Sequence, residues 1–217
     1  MKKVFVVFLG VMLLAGCATT KPSQSGFLGE YYQYLEPGPV GGAKMRWVNP
    51  GVDHTKYKKF MVDYVVFALA DDSEYKGING DEMKKLGDAA SLALVNALKE
   101  KYSVVSEPGP DVARIKLAIV GLKQSRPVLS AVTTVIPVGL GISLVKKGAT
   151  DAWTGSGATQ AEVLVIDSMT NEVIGAGYDQ YKARFTERFS KWGSVEEAFK
   201  FWGERGVQYL DRSRGKK

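Results

Sequence analysis

The sequence predicts an α+β fold: a mostly antiparallel sheet with two packed helices and a kinked apolar segment. Three observations carry this. Residues 82–101, and the stretch that follows Ser194, place apolar side chains at three- and four-residue steps, the spacing of an amphipathic helix. Residues 112–122, 156–167 and 173–181 read as strands, the first two with clear alternation. The resulting order, β-α-β-β-(apolar segment)-β-β-α, is dominated by hairpins and short on strand–helix repeats, which favours antiparallel pairing.

The chain opens with Lys2 and Lys3, then runs apolar from Val4 to Leu14, broken only by Gly10. About a dozen apolar residues make the core of a secretory signal and fall short of the roughly 20 that a membrane-spanning helix needs. Leu14-Ala15-Gly16-Cys17 follows, with the only cysteine of the chain. This run resembles the lipobox of bacterial lipoprotein precursors. The resemblance implies cleavage between Gly16 and Cys17, a diacylglycerol on the thiol, and a further fatty chain such as palmitate on the new amine. One chain binds a membrane only marginally, whereas several anchor stably at about 0.8 kcal/mol per buried methylene. Ala18, and not aspartate, stands after Cys17, which by the enterobacterial sorting pattern implies the outer membrane.

Residues 1–16 are therefore read as the signal, 17–29 as a lipidated tether rich in Ser, Thr, Gly, Lys and Pro, 30–211 as one domain, and 212–217 as a basic tail. With Cys17 acylated no thiol remains for a disulfide, a zinc site or a cysteine nucleophile. The net charge of +6 falls to +4 once Lys2 and Lys3 leave, and its excess lies toward the C-terminus. No nucleic-acid partner is expected of an exported chain.

Phe27, Leu28, Tyr31, Tyr32, Tyr34 and Leu35 crowd ahead of Pro37-Gly38-Pro39, and are expected to pack on the domain as an irregular segment. Residues 45–50 make a short extended piece ended by Pro50. His54, the sole histidine, sits in the loop after it without a second imidazole to complete a metal site. Residues 60–70 form a strand interrupted by Asp63, which is expected to face solvent. Asp81 is placed as the N-cap of the first helix, whose apolar stripe is Met83, Leu86, Ala90, Ala93, Leu94, Ala97 and Leu98. A short strand at 102–105 leads into a rigid turn around Pro108-Gly109-Pro110. The strand at 112–122 is expected to be half-buried, with Arg114 and Lys116 outward.

The stretch from Val128 to Val145 carries no charge over eighteen residues but contains Pro137, Gly139 and Gly141. Satisfying every backbone group in lipid is harder with those three present. The readings are a buried or partly ordered helix kinked at Pro137, an exposed apolar element meeting the bilayer or a partner subunit, or a transmembrane span. The two later strands make a hairpin in which Asp167 opens the turn and bonds nearby amides. Ser194 and Glu197 form a capping-box pattern before the last helix, whose stripe includes Val195, Ala198, Phe199, Trp202, Gly206, Tyr209 and Leu210.

Four stretches resemble an uncharacterised family of bacterial lipoproteins, a domain of unknown function of the DUF 3313 type. They are Gly26-Phe27-Leu28 with the tyrosines after it; Trp47-Val48-Asn49-Pro50 leading to Asp53 and Tyr57; residues 104–111; and residues 135–140. Glu162 and Asp167 fit the hairpin that follows in that family. The resemblance implies no reaction, ligand or partner, and only the lipidated Cys17 carries over.

No catalytic, cofactor-binding or metal-binding constellation is legible. The function expected is that of a lipid-anchored outer-membrane protein of a Gram-negative bacterium. It would face the periplasm as a non-enzymatic binding or assembly accessory of the cell envelope. An envelope protein or a second copy of the chain would meet it through Val128 to Val145. The alternatives are an envelope hydrolase, in which Asp63, Glu107 and Asp167 converge, and a subunit of a membrane-inserted secretion assembly.

Overall fold

The computed structural model describes residues 24–69, 78–123, 158–182 and 193–213. The longest strand, β6 (Val112–Lys123), sits inside an eight-stranded sheet. Its antiparallel partner is β7 (Ala158–Asp167), which turns back as β8 (Val173–Lys182). Beyond β8 lie β2 (Met45–Val48) and the edge strand β1 (Glu36–Pro37), both antiparallel. On the other side β6 takes β3 (Lys59–Val62) and β4 (Val66–Phe67), and β3 takes the edge strand β5 (Ser103–Val104). Two helices, α1 (Gly80–Lys99) and α2 (Gly193–Ser213), complete the α+β fold read from the sequence.

The three ladders of β3, β4 and β5 are parallel, which the hairpin reading did not foresee. Parallel neighbours need a crossover, and α1 supplies it between β4 and β5. The segment holding Pro108 and Pro110 then carries the chain past β3 to its other side. There the Asp111 carbonyl accepts from the amides of Lys58 (2.8 Å) and Lys59 (3.1 Å).

The strand expected at 60–70 is split. Asp63 sits at the break and accepts a bond from Arg114 Nε at 2.6 Å. Just beyond, the Val65 amide leaves the ladder for Ser91 Oγ on α1 (3.1 Å). Asp63 therefore faces a cation, where open solvent was expected. The first helix begins earlier than its sequence suggested. Asn79 caps it and forms a capping box with Glu82, while Asp81 lies in the first turn, where a carboxylate complements the helix dipole. Ser194 likewise falls inside α2 and not at its cap.

Register assigns the faces of the sheet. Ala113, Ile115, Leu117 and Ile119 of β6 point to the helices, where Leu86, Ala90, Leu94 and Leu98 of α1 bury their stripe. Val195, Phe199 and Val207 of α2 join the same core. The helices meet at Gly203. A Cβ there would come within 2.8 Å of Ala97 Cβ and 3.3 Å of the Ala93 carbonyl oxygen. Gly206, read as part of the packed stripe, has nothing within 4 Å of its missing Cβ. Arg114 and Lys116 leave by the helix-free face, but farther along that face Ala118 and Val120 are wholly buried, so β6 is not half-buried throughout. Among the described residues no helix is long and apolar enough to cross a membrane. The stretch from Val128 to Val145 lies outside the described residues.

Replacing Gly203 by Val drives a branched Cβ against Ala97 and Ala93. The expected loss of unfolding free energy is about 1–3 kcal/mol, the usual range for overpacking. Gly206→Ala, at the open position, is expected to gain about 0.5–1 kcal/mol from helix propensity. Urea unfolding of the two variants beside the wild type checks both signs.

Candidate functional site

Ala118, Glu162, Tyr178 and Met45 stand in one row across β6, β7, β8 and β2 on the helix-free face. The N-terminal residues 25–35 lie over this row. Phe27 and Leu35 pack on Ala118, Val120 and Tyr178, and Leu28 is buried. A 3-10 turn, Gly29–Tyr34, folds the segment back on itself. Gly26, at φ 87°, opens that fold in a conformation that costs other residues more. Packing thus starts at Ser25, inside the stretch read as tether.

Glu162 is the polar centre of the contact and is 0% exposed. Its Oε2 accepts the Ser25 hydroxyl at 2.7 Å and the Tyr32 hydroxyl at 2.8 Å. Ser25 Oγ also accepts the Phe27 amide (3.1 Å), and the Tyr32 oxygen accepts the Gly26 amide (3.0 Å). Oε1 is buried without a hydrogen-bond partner among the described residues. Burial pushes the Glu162 carboxyl above its ordinary value, and the two hydroxyl bonds offset this in part. Burial, helped by the neighbouring carboxylate, likewise raises the Tyr32 phenol.

Beside this contact, on the same face, Trp47 follows Met45 by two residues along β2. Tyr31 and Tyr34 close on it, with ring centroids 5.2 and 5.7 Å from the indole and 6.2 Å from each other. Tyr34 remains 45% exposed. The crowd of aromatics thus packs on the domain as expected, while its outer edge still reaches solvent.

The carboxylates that a hydrolase reading required are not brought together. Asp63 is paired with Arg114 on the helix-free side. Asp167 belongs to the helix side, where Oδ2 accepts Lys56 Nζ (3.0 Å) and the Tyr57 hydroxyl (2.8 Å). Its Oδ1 takes the amides of Met169 and Thr170, the turn role read from the sequence. Burial pushes the Asp167 carboxyl up, but the Lys56 ammonium, the two amides and the Tyr57 hydroxyl outweigh it and hold the group well below the usual carboxylate range. Glu107 is exposed in its turn. His54 Nε2 meets the Asn49 carbonyl at 2.9 Å in a short 3-10 turn. Gly16 and Cys17 lie outside the described residues.

The burial of two carboxylates was not read from the sequence. Asp179 accepts Arg205 Nη1 (2.6 Å), Trp202 Nε1 (3.1 Å) and the Lys44 amide (3.1 Å), tying α2 to β8 and to the entry of β2. Glu162 read as one member of an alternating strand and as fitting the hairpin of the resembling family, with no buried role. The clue was its company: on the same face Gln160 and Glu162 give way to Leu164 and Ile166, so that face is not uniformly wet. Among the described residues no three His, Cys, Asp or Glu side chains cluster as a metal site would require.

Residues 23–205 match the model of a family described as "Protein of unknown function (DUF3313)". The chain belongs to the DUF3313 family. The Escherichia coli K12 protein named uncharacterized lipoprotein YdcL is 25% identical over 169 residues, covering 76% of this chain and 75% of that one. The Escherichia coli O157:H7 protein of the same name matches to the same extent. A lipoprotein of unknown activity fits both the relatives and the DUF3313 match. Among solved structures, the PelC dodecamer of Paraburkholderia phytofirmans is similar with a TM-score of 0.39 at 10% identity, over 74% of this chain and 93% of that one. A putative neuraminyllactose-binding hemagglutinin homolog of Helicobacter pylori gives 0.35 at 11%, over 82% and 90%.

Glu162 and Asp167 predict opposite pH behaviour. The raised Glu162 value means that the folded state holds its proton more tightly than the unfolded chain. Its contribution is full below the ordinary glutamate range and lost as pH rises through the raised value. Glu162→Gln should therefore gain on the wild type as pH rises across that window. The lowered Asp167 value works the other way: its contribution is present above the ordinary aspartate range and lost as pH falls toward the lowered value. The deficit of Asp167→Asn should shrink on acidification. Denaturation midpoints measured from acidic to neutral pH read both slopes.

Proposed function

We propose that this DUF3313 protein is anchored to the outer membrane through acylated Cys17, faces the periplasm, and serves as a non-enzymatic binding or assembly accessory of the cell envelope. The observation that carries this reading is the docking of residues 25–35. Ser25 and Tyr32 are bonded to buried Glu162, so only eight residues run from Cys17 to the first pinned position. At 3.3–3.6 Å per residue that stretch reaches at most roughly 29 Å. A domain held so near a bilayer meets membrane-bound partners at a high effective concentration without any new contact.

Ala18 after the lipidated cysteine supports the outer membrane as the destination, and the YdcL relatives support the lipoprotein class. The commitment of Asp63, Asp167 and Asp179 to cations of their own supports a role without catalysis. The acids in question act as braces between elements.

Cys17→Ser tests the anchor. The wild type should sediment with the outer-membrane fraction and label with radioactive palmitate. The variant should lose the label and leave that fraction. Unchanged fractionation of Cys17→Ser would sink the reading.

A further inference from the structure

We infer that the helix-free face, at the patch formed by Tyr31, Tyr34 and Trp47, rests on the phospholipid surface to which the chain is anchored. The inference builds on the lipid anchor proposed above and adds the orientation of the domain and the residues that touch lipid. Where the chain leaves the described structure is the first argument. Ser25, the last pinned residue before the anchor, sits over Glu162 on this face. The tether therefore pulls the helix-free side toward the bilayer and leaves the helices distal.

The chemistry of the patch is the second argument. Three rings meet within 5.2–6.2 Å of one another, and Tyr34 is 45% exposed. Tyrosine and tryptophan couple an apolar body to a polar tip, which suits the boundary between head groups and acyl chains. The rings are tilted by 33–55° and so do not make the flat platform on which a sugar ring stacks. Val66, 44% exposed, extends apolar surface on the same face, at the far end of the row through Ala118.

The opposite side is the third. The outer surfaces of α1 and α2 carry exposed ion pairs, Lys84–Asp88 and Glu197–Lys200, as surfaces in water do. Leu92 is exposed there but stands alone, with Asp88 and Asn96 one turn to either side. Beside the aromatic patch, Glu30 and Glu172 lie close enough to act on Tyr31, so its nearest charges are acidic and do not attract anionic head groups. Ring insertion and not head-group charge should then dominate, and the contact should survive high salt.

The test uses the full lipidated protein, reconstituted into vesicles of phosphatidylethanolamine and phosphatidylglycerol doped with a phospholipid brominated near its head group. Flotation reports the anchor, and bromine quenching of tryptophan emission reports the face. The wild type should float and be quenched, and most of that quenching should vanish in Trp47→Phe while Trp202→Phe, on the helix side, keeps it. Tyr34→Glu, at an already exposed ring, should float and lose quenching, also in high salt. Failure to float overturns the anchor and this inference together. A protein that floats with the quenching unchanged in Trp47→Phe overturns this inference alone. So does Trp47 emission that ignores bromolipid but shifts on addition of soluble muropeptides, which would assign the patch to glycan.

Discussion

The ladder between β6 and β7 imposes the constraint that the rest of the chain answers. Ten residue pairs bind the two strands along most of their length. Their side chains leave apolar groups on both faces, Ile115, Leu117 and Ile119 toward one side and Ala118 and Val120 toward the other. An antiparallel sheet can leave one face to water, but only if that face is polar. Two helices suffice for one side. The other is closed by residues 25–35, a stretch with only a 3-10 turn, which must bring apolar side chains and satisfy a carboxylate at once.

Local regularities were legible in the sequence. The stripe of α1, the alternation in β7 and the turn role of Asp167 depend on residues a few positions apart, and the structure bears them out. Errors entered where the deciding partner is remote or where two similar candidates stand side by side. Asn79 and Asp81 are both good caps, and two residues separate the right one from the wrong one. The break at Asp63 answers to Arg114, and the parallel pairing of β3 answers to a strand past the helix. The contact around Glu162 joins residues more than a hundred positions apart. Alternation says which side chains share a face, but not what will lie on it.

The buried acids also divide by how they are held. Asp167 and Asp179 each meet a cation, Asp167 with two backbone amides beside it and Asp179 with one amide and the Trp202 indole. Glu162 meets hydroxyls on one oxygen. Hydroxyl bonds compensate desolvation less than an ion pair does, which is why the Glu162 carboxyl stands above its ordinary value while that of Asp167 stands below. The three sites tie different pairs of elements: Asp167 the turn of the hairpin to the loop before β3, Asp179 the sheet to α2, and Glu162 the sheet to the N-terminal segment.

The last of these ties also sets how the molecule bears load. From residue 35 the chain runs directly into β1 and β2 at the rim of the sheet. Without the Glu162 contact, a tug from the N-terminal side would arrive at β1 and peel the rim away one bond at a time, the direction in which a ladder resists least. With Ser25 and Tyr32 fastened to the middle of β7, the same force enters at the centre of the sheet and is shared by the ladders on either side. The carboxylate that looked like a cost of burial thus acts as a strain relief, sparing the weakest edge of the domain.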